Sequence, residues 1–99
     1  MKEKMLFELE EVLGSRGRVR LLSVLSRFGE VNITKLARLC NLQHTSADRN
    51  LQLLLLHDII TEKRFGRIRI YSLNSHSSVA RSIQRLFEET RESQEKTFS

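Results

Sequence analysis

The stretch from Val31 to Ile60 constrains the fold more than any other part of the chain. Its first half places apolar residues at helical spacing, at Ile33, Leu36, Ala37 and Leu39, and its second half repeats the pattern at Ala47, Leu51 and Leu54. Only residues 40–43 separate the two halves, so two helices must cross steeply around a shared core, with Leu42 as an apolar plug. This spacing predicts a helix-turn-helix, whose second helix is free to enter a DNA major groove.

The second helix is expected to present hydrogen-bonding side chains opposite its apolar stripe. Helical periodicity turns Thr45, Arg49 and Gln52 away from the core. Such groups bind base edges and phosphates, and the N–H groups of a first helical turn point at a nearby anion. The alternative is the solvated side of an ordinary amphipathic helix. The residues predicted to contact DNA are Gln43, His44, Thr45, Ser46, Arg49 and Gln52 on this helix, with Thr34 and Lys35 of the preceding helix near phosphates.

A β-hairpin is predicted directly after the second helix, which Asp58 is expected to end. Strands from Ile59 to Arg64 and from Arg67 to Leu73 flank a turn in which Gly66 supplies the positive φ. Alternation within the second strand predicts one face packed by Ile68 and Ile70 and an opposite face that is cationic and includes Tyr71.

The tip of this hairpin carries basic residues of a single sign, namely Lys63, Arg64, Arg67 and Arg69. A cationic hairpin beside a DNA-reading helix is a wing, which lies along the flanking backbone or reaches into the minor groove. The alternative is an edge hairpin kept soluble by charge. All four cations are predicted DNA contacts.

The charge distribution supports a polyanion-binding body. Residues 14–85 hold thirteen Lys and Arg against four Asp and Glu, whereas residues 1–13 and residues 86–99 each have a net charge of −2. Twelve of the seventeen basic residues are Arg, which favours bidentate contacts to phosphate or guanine.

Helices are also predicted on both sides of this unit. One spans residues 3–13, and the next runs from Arg16 to Phe28, with Ser15 as its N-cap and Gly29 at its C-terminal end. The second of these helices is expected to turn its arginines to solvent and to bury Val19, Leu22, Leu25 and Phe28. Val31 is a candidate short strand. A last helix opens within residues 74–78 and ends near Glu92, followed by a frayed tail.

The two terminal helices each have an apolar stripe, which predicts that they pair between subunits, with packing on their own domain as the alternative. The predicted dimer residues are Met5, Leu6, Leu9, Val12, Val79, Ile83, Leu86 and Phe87. The chain divides into an N-terminal helix (1–13), a winged helix-turn-helix domain (14–74) and a C-terminal dimerisation helix with its tail (75–99). The expected fold class is mainly α with a small β-hairpin, that is, α+β.

Several classes of function are disfavoured by composition. The 99 residues suit one domain, and the acidic N-terminus and short apolar runs predict neither a signal peptide nor a membrane span. The single Cys40 favours a reducing cytoplasm. Cys40, His44, His57 and His76 are too scattered for a zinc site, so no metal or cofactor is predicted. Motifs for a nucleophile or a phosphate loop are missing, so an enzyme is the least favoured class.

Taken together, these elements resemble the winged helix-turn-helix regulators of the ArsR/MarR type over roughly residues 13–74. The resemblance is carried by L-G-S-R-G-R-V-R-L-L at 13–22, I-T-K-L-A-R-L-C-N-L at 33–42, N-L-Q-L-L at 50–54 and G-R-I-R-I-Y-S-L at 66–73. It implies a homodimeric repressor or activator that binds a near-palindromic DNA site, often under an effector, which the sequence does not identify.

Three features depart from that pattern. Asp48 stands on the recognition helix where Ser is usual, and a local structural role is the favoured interpretation. Asp58 replaces a Gly. Leu53 and Leu56 fall near the exposed side of the same helix, which indicates either cover by a neighbouring element or a protein contact. The alternative functions are therefore a protein-interaction winged helix and a nonspecific architectural DNA binder.

Overall fold

The computed structural model describes the backbone of residues 2–98 and the side chains of residues 6–93. Within them it contains α1 (Lys2–Leu13), α2 (Arg16–Phe28), β1 (Val31–Asn32), α3 (Ile33–Leu39), α4 (His44–Leu56), β2 (Ile60–Phe65), β3 (Ile68–Leu73) and α5 (Ser78–Phe98). The strands form one antiparallel sheet in the order β1-β3-β2. The predicted α+β fold class is confirmed.

The ends of the helices follow from local chemistry. The Ser15 hydroxyl accepts a hydrogen bond from the Arg18 amide at 3.4 Å at the start of α2, and the Asn32 side chain accepts one from the Lys35 amide at 2.8 Å at the start of α3. Gly29 closes α2 with a φ of 81°. Asp58 has a φ of 56° and separates α4 from β2, as expected.

The core around the helix-turn-helix has the predicted composition except at Val19, which is only half-buried, and at Leu39 and Phe28. Ala47, Leu51 and Leu54 are all 0% exposed. Leu39, expected inside, is 43% exposed because the buried side of α3 continues at Cys40, one turn beyond Leu36. Phe28, also expected inside, is 48% exposed at the end of α2, and its ring lies under the cationic groups of Arg27 and Lys35 at 5.5 and 5.3 Å.

The two faces of β3 are the reverse of the prediction. Tyr71 is 0% exposed, whereas Ile68 is 56% exposed and Ile70 is half-buried. Tyr71 pairs with Val31 on one side and Glu62 on the other, at the end of the strand that lies over the core. Ile68 lies in the part of the wing beyond the pairing of β3 with β1, and Ile70 pairs with Asn32 at the edge of that region, so neither isoleucine decides which face packs.

The terminal helices are part of the domain's own core. Val12 at the end of α1 and Ile83 of α5 are 0% and 4% exposed, and both helices pack on α2. Val12 therefore leaves no surface for a partner, which corrects its assignment to a dimer contact, whereas the edge of Ile83 still lines a groove between α1 and α5. The side chain of Met5 lies outside the described residues. The predicted end of the last helix near Glu92 is also wrong, because α5 continues to Phe98.

A polar link joins α1, α2 and α4. Arg18 donates hydrogen bonds to the Glu11 carbonyl and to Oδ1 of Asn50, both at 2.8 Å, and Asn50 donates in turn to the Ser46 carbonyl at 2.9 Å. A Cβ at Gly17 would lie 3.0 Å from Nδ2 of Asn50, so α2 approaches α4 closely here. The expectation that Arg18 faces solvent is therefore wrong.

Because Leu51 is fully buried, Leu51→Ala should lower the free energy of unfolding by about 2–5 kcal/mol, through lost transfer energy and a residual cavity. Leu56→Ala, the same change on the same helix at a site 79% exposed, is the control and should change it by less than about 0.5 kcal/mol. Urea denaturation of both variants measures the difference. Equal losses would contradict the placement of the buried stripe.

Candidate nucleic-acid interface

The outward face of α4 carries the side chains predicted to contact bases. Thr45, Arg49 and Gln52 are exposed and follow one another at i, i+4 and i+7, opposite the buried stripe. Thr45 and Arg49 have no side-chain hydrogen bond or ion pair to any residue that the structure describes. Gln43 takes the N-cap position without a side-chain capping bond, so its amide is not used by the helix end. These groups are therefore available to a ligand.

Asp48 lies between this face and the wing. Its Oδ1 accepts a hydrogen bond from Nη1 of Arg69 at 2.8 Å and a longer one, 3.4 Å, from Nε2 of Gln52. The Arg69 hydrogen bond is the main cause that lowers the pKa of the Asp48 carboxyl below its ordinary value. The carboxylate consequently remains ionised at neutral pH and compensates the charge of Arg69.

Carboxylates of the same chain pair with most of the predicted wing cations. Besides Arg69, Arg64 donates to Glu62 at 2.8 Å, and Nζ of Lys63 lies 3.6 Å from a carboxylate oxygen of Glu30. The Lys63 pair is more than half exposed on both sides and is correspondingly weak. Arg67 differs, because no carboxylate among the described residues pairs with it.

A basic cleft of about 450 Å³ separates α3 from the wing. Its lining consists of Asn32, Ile33, Thr34, Lys35, Arg38, Arg67, Ile68 and Arg69. It brings together the predicted phosphate-binding residues of α3 and two of the three wing arginines, Arg67 and Arg69, which are distant in sequence. Arg38 was not among the predicted contacts. Arg38 could have been predicted as a contact from its position three residues after Lys35, on the exposed side of α3.

The base of the wing is held by a tyrosine–carboxylate contact. The Tyr71 hydroxyl donates to Oε2 of Glu62 at 2.6 Å, and Tyr71 itself is buried. Burial, followed by the hydrogen bond to Glu62, raises the pKa of Tyr71 well above its ordinary value. The hydrogen bond from Tyr71, followed by that from Arg64, lowers the pKa of Glu62. The two strands of the wing are therefore joined by side chains as well as backbone.

Other candidate groups lie away from this interface. Burial raises the pKa of the Cys40 thiol to about 11, which keeps it protonated at neutral pH. Among the described side chains, no three His, Cys, Asp or Glu residues are grouped so as to hold a metal ion. None of the helices in the described part of the chain has the length and apolar character needed to cross a membrane.

The two leucines near the exposed side of α4 differ from each other. Leu53 is half-buried, whereas Leu56, one turn beyond Gln52 on the outward face, is 79% exposed. Nδ1 of the neighbouring His57 lies 3.6 Å from a carboxylate oxygen of Glu8, which places α1 beside this end of α4. The N-terminal helix thus approaches Leu56 without covering it.

Known structures share this fold. HlyU from Vibrio cholerae N16961 superposes with a TM-score of 0.77 at 15% identity, over 90% of this chain and 94% of its own. The homodimeric winged helix-turn-helix DNA-binding domain of Mb0332 from Mycobacterium bovis, a possible ArsR-family transcriptional regulator, superposes with a TM-score of 0.67 at 22% identity. The match covers 98% of this chain and 87% of that domain. The transcriptional repressor BigR from Xylella fastidiosa superposes with a TM-score of 0.74 at 17% identity, over 89% of this chain and 84% of its own. No family model and no curated protein sequence matches the chain. The fold is therefore the winged helix-turn-helix fold.

The single tyrosine of the chain, which has no tryptophan, offers a direct test of the wing's base. The ultraviolet absorbance of phenolate should develop at a higher pH in the native protein than in urea, where the ordinary pKa of 10.0 applies. Stability from this group is full below about pH 10 and declines above it, because the unfolded chain loses the proton first. Glu62→Gln should reduce but not abolish the difference, since burial remains. Phenolate formation at the same pH in both states would contradict the contact.

Proposed function

We propose that this protein is a sequence-specific regulator of transcription that binds double-stranded DNA as a homodimer. In this proposal α4 enters the major groove, and Thr45, Arg49 and Gln52 approach base edges. Gln43, His44 and Ser46 occupy its first turn near bases or phosphates. The observation that carries the proposal is the exposed face of α4, which adjoins the basic cleft through the contact of Asp48 with Arg69. Base-reading and phosphate-binding groups are thereby presented side by side.

The basic cleft supports the phosphate-binding half of the proposal. Lys35 and Arg38 on α3 face Arg67 on the wing, and Thr34 adds a hydroxyl at the same place. A DNA strand leaving the major groove meets such cations on its backbone, where they fix the orientation of the reading helix without selecting a sequence. Among the wing cations, Arg67 is assigned the main phosphate contact because it has no carboxylate partner in the described part of the chain.

The homodimer is supported by an apolar groove between the terminal helices. Leu9 and Leu13 of α1 and Val79, Ile83 and Leu86 of α5 line a groove of about 320 Å³ whose wall is mostly apolar. Leu6, Leu13 and Leu86 remain 60%, 38% and 56% exposed, while Phe87 is half-buried. A second copy of the chain is the proposed occupant, as Mb0332, with the same fold, is homodimeric. Two recognition helices about 34 Å apart would then meet successive major grooves.

A protein-interaction module is the second candidate, and one observation favours it. Leu56 continues the exposed face of α4 and is 79% exposed, whereas three of the four wing cations are paired within the chain. A protein partner on this face would bury Leu56 at its centre. Titration with random duplex at low salt separates the candidates, because the module is indifferent to DNA whereas the regulator binds.

Arg49→Ala and Arg67→Ala should affect DNA binding in different ways. After selection of a preferred duplex from a random pool, Arg49→Ala should reduce discrimination against single-base variants by about 1–3 kcal/mol, because a base contact is lost. Arg67→Ala should weaken the preferred and random duplexes alike and lower the salt slope by about one unit, because a phosphate contact is lost. Fluorescence anisotropy across a salt series measures both.

These two variants are controls for each other, since each removes one exposed arginine and leaves the core untouched. Equal losses on preferred and random duplexes for Arg49→Ala would reject its role at bases. An unchanged salt slope for Arg67→Ala would reject its role at a phosphate.

Leu86→Glu should convert the dimer to a monomer, because it places a charge in the apolar groove that the partner would cover. Leu56→Glu is the matched control: it makes the same change at a leucine that is more exposed and lies outside the groove. Sedimentation equilibrium should show a dimer for the unsubstituted protein and for Leu56→Glu. A dimer that persists in Leu86→Glu, or is lost in Leu56→Glu, would contradict the proposed interface.

A further inference from the structure

We propose that Asp48 is a positioning residue for DNA recognition, which fixes the wing relative to the recognition helix by holding Arg69. The inference rests on the proposed function and deepens it. In the sequence, Asp48 is unexpected because its carboxylate stands on a helix predicted to approach phosphates, and Arg69 is predicted to contact a phosphate. The contact between them gives both residues a different role.

The contact joins two elements that the backbone does not connect directly. Nη1 of Arg69 and Oδ1 of Asp48 are 2.8 Å apart, and the residues are 21 positions apart in sequence. The side chains of Arg69 and Asp48 are 20% and 39% exposed, so the contact is partly covered. A charge-assisted hydrogen bond in this partly covered setting is stronger than an ion pair in open solvent.

Besides this contact, the exposed ion pair of Lys63 with Glu30 also ties the wing to the body of the domain. Phe65 and Ile68, on either side of the turn, are 61% and 56% exposed, and Gly66 and Arg67 are also exposed. The Tyr71–Glu62 contact secures the base of the wing but lies farther from the tip along both strands. Asp48 with Arg69 is the ion pair that ties α4 to β3 within residues 6–93.

The same carboxylate oxygen also accepts a hydrogen bond from Gln52, one of the proposed base-reading residues, at 3.4 Å. Asp48 therefore sets the distance between the base-reading face of α4 and Arg67 of the wing. Phosphate contacts fix the register of a reading helix only when their own position is fixed. In this role Arg69 serves the protein's geometry, and Arg67 is left for the phosphate.

Four variants of the full chain test the proposal: Asp48→Asn, Arg69→Gln, the double variant, and Arg67→Gln as the control from the same wing. The first readout needs no DNA. The ¹⁵N–¹H heteronuclear NOE of the wing amides 64–69 should fall in Asp48→Asn and in Arg69→Gln, no further in the double variant, and not at all in Arg67→Gln. Unchanged values in the two single variants would overturn the proposal.

The second readout is the ratio of affinities for the selected duplex and a random duplex. The ratio is used because removal of one carboxylate strengthens binding to any DNA, an effect that cancels between duplexes. Asp48→Asn and Arg69→Gln should each lower it about three- to tenfold, and the double variant no further, as expected for contacting residues that act as a unit. Arg67→Gln is a control for the first readout only, because it removes the proposed phosphate contact itself.

If Arg69 instead contacts a phosphate directly, the two single variants should change DNA affinity in opposite directions. Asp48→Asn would then release Arg69 and strengthen binding without loss of discrimination, and Arg69→Gln would weaken both duplexes and lower the salt slope by about one unit. That outcome overturns the proposal. Failure of the regulator function is distinguishable, because the unsubstituted protein would then bind no duplex while the NOE measurement still tests the link between α4 and the wing.

Discussion

Burial of one stripe of α4 determines the orientation of everything else on that helix. Ala47, Leu51 and Leu54 are completely enclosed, and helical geometry then turns Thr45, Arg49 and Gln52 outward without any further interaction. The close approach at Gly17 and the hydrogen bonds of Arg18 to Asn50 fix the flank of the helix against α2. The proposed reading face is thus a consequence of core packing, since the side chains on it make few contacts that could orient the helix.

Charge is distributed less simply than the composition suggests. The middle of the chain has a large excess of basic residues, yet Arg64 and Arg69 are engaged by carboxylates at 2.8 Å. Such pairs compensate charge locally and, at the surface, contribute little to stability, so their effect is mainly on where a side chain points. The cations left for a polyanion are those of the basic cleft without such a partner. The count of arginines therefore overstates the number available for phosphates, while their arrangement indicates where phosphates would lie.

The sequence was sufficient to predict the helices, the wing and the outward face of α4, because each depends on periodicity or on capping residues within a few positions. The sequence did not correctly predict which face of β3 packs on the core. Either of its two alternating faces could pack, and which one does depends on which end of the strand covers the core. Tyr71 lies at that end, and Ile68 does not. The contacts Arg18–Asn50 and Asp48–Arg69 join residues 32 and 21 positions apart, and no local pattern indicates such pairs. The components of the candidate site were predictable, whereas the interactions that position them were not.

The terminal helices show why packing within a subunit and pairing between subunits are not exclusive. Val12 and Ile83 fill the core beside α2, whereas Leu13 and Leu86 on the same helices remain exposed at the groove. A helix with a wide apolar stripe can pack one edge of the stripe on its own core and leave the other edge for a second subunit. Because α2 packs against α1, α4 and α5, the proposed dimer interface and the proposed DNA-reading face share one supporting helix. Their relative orientation, on which a half-site spacing of about one DNA turn depends, is consequently set inside each subunit.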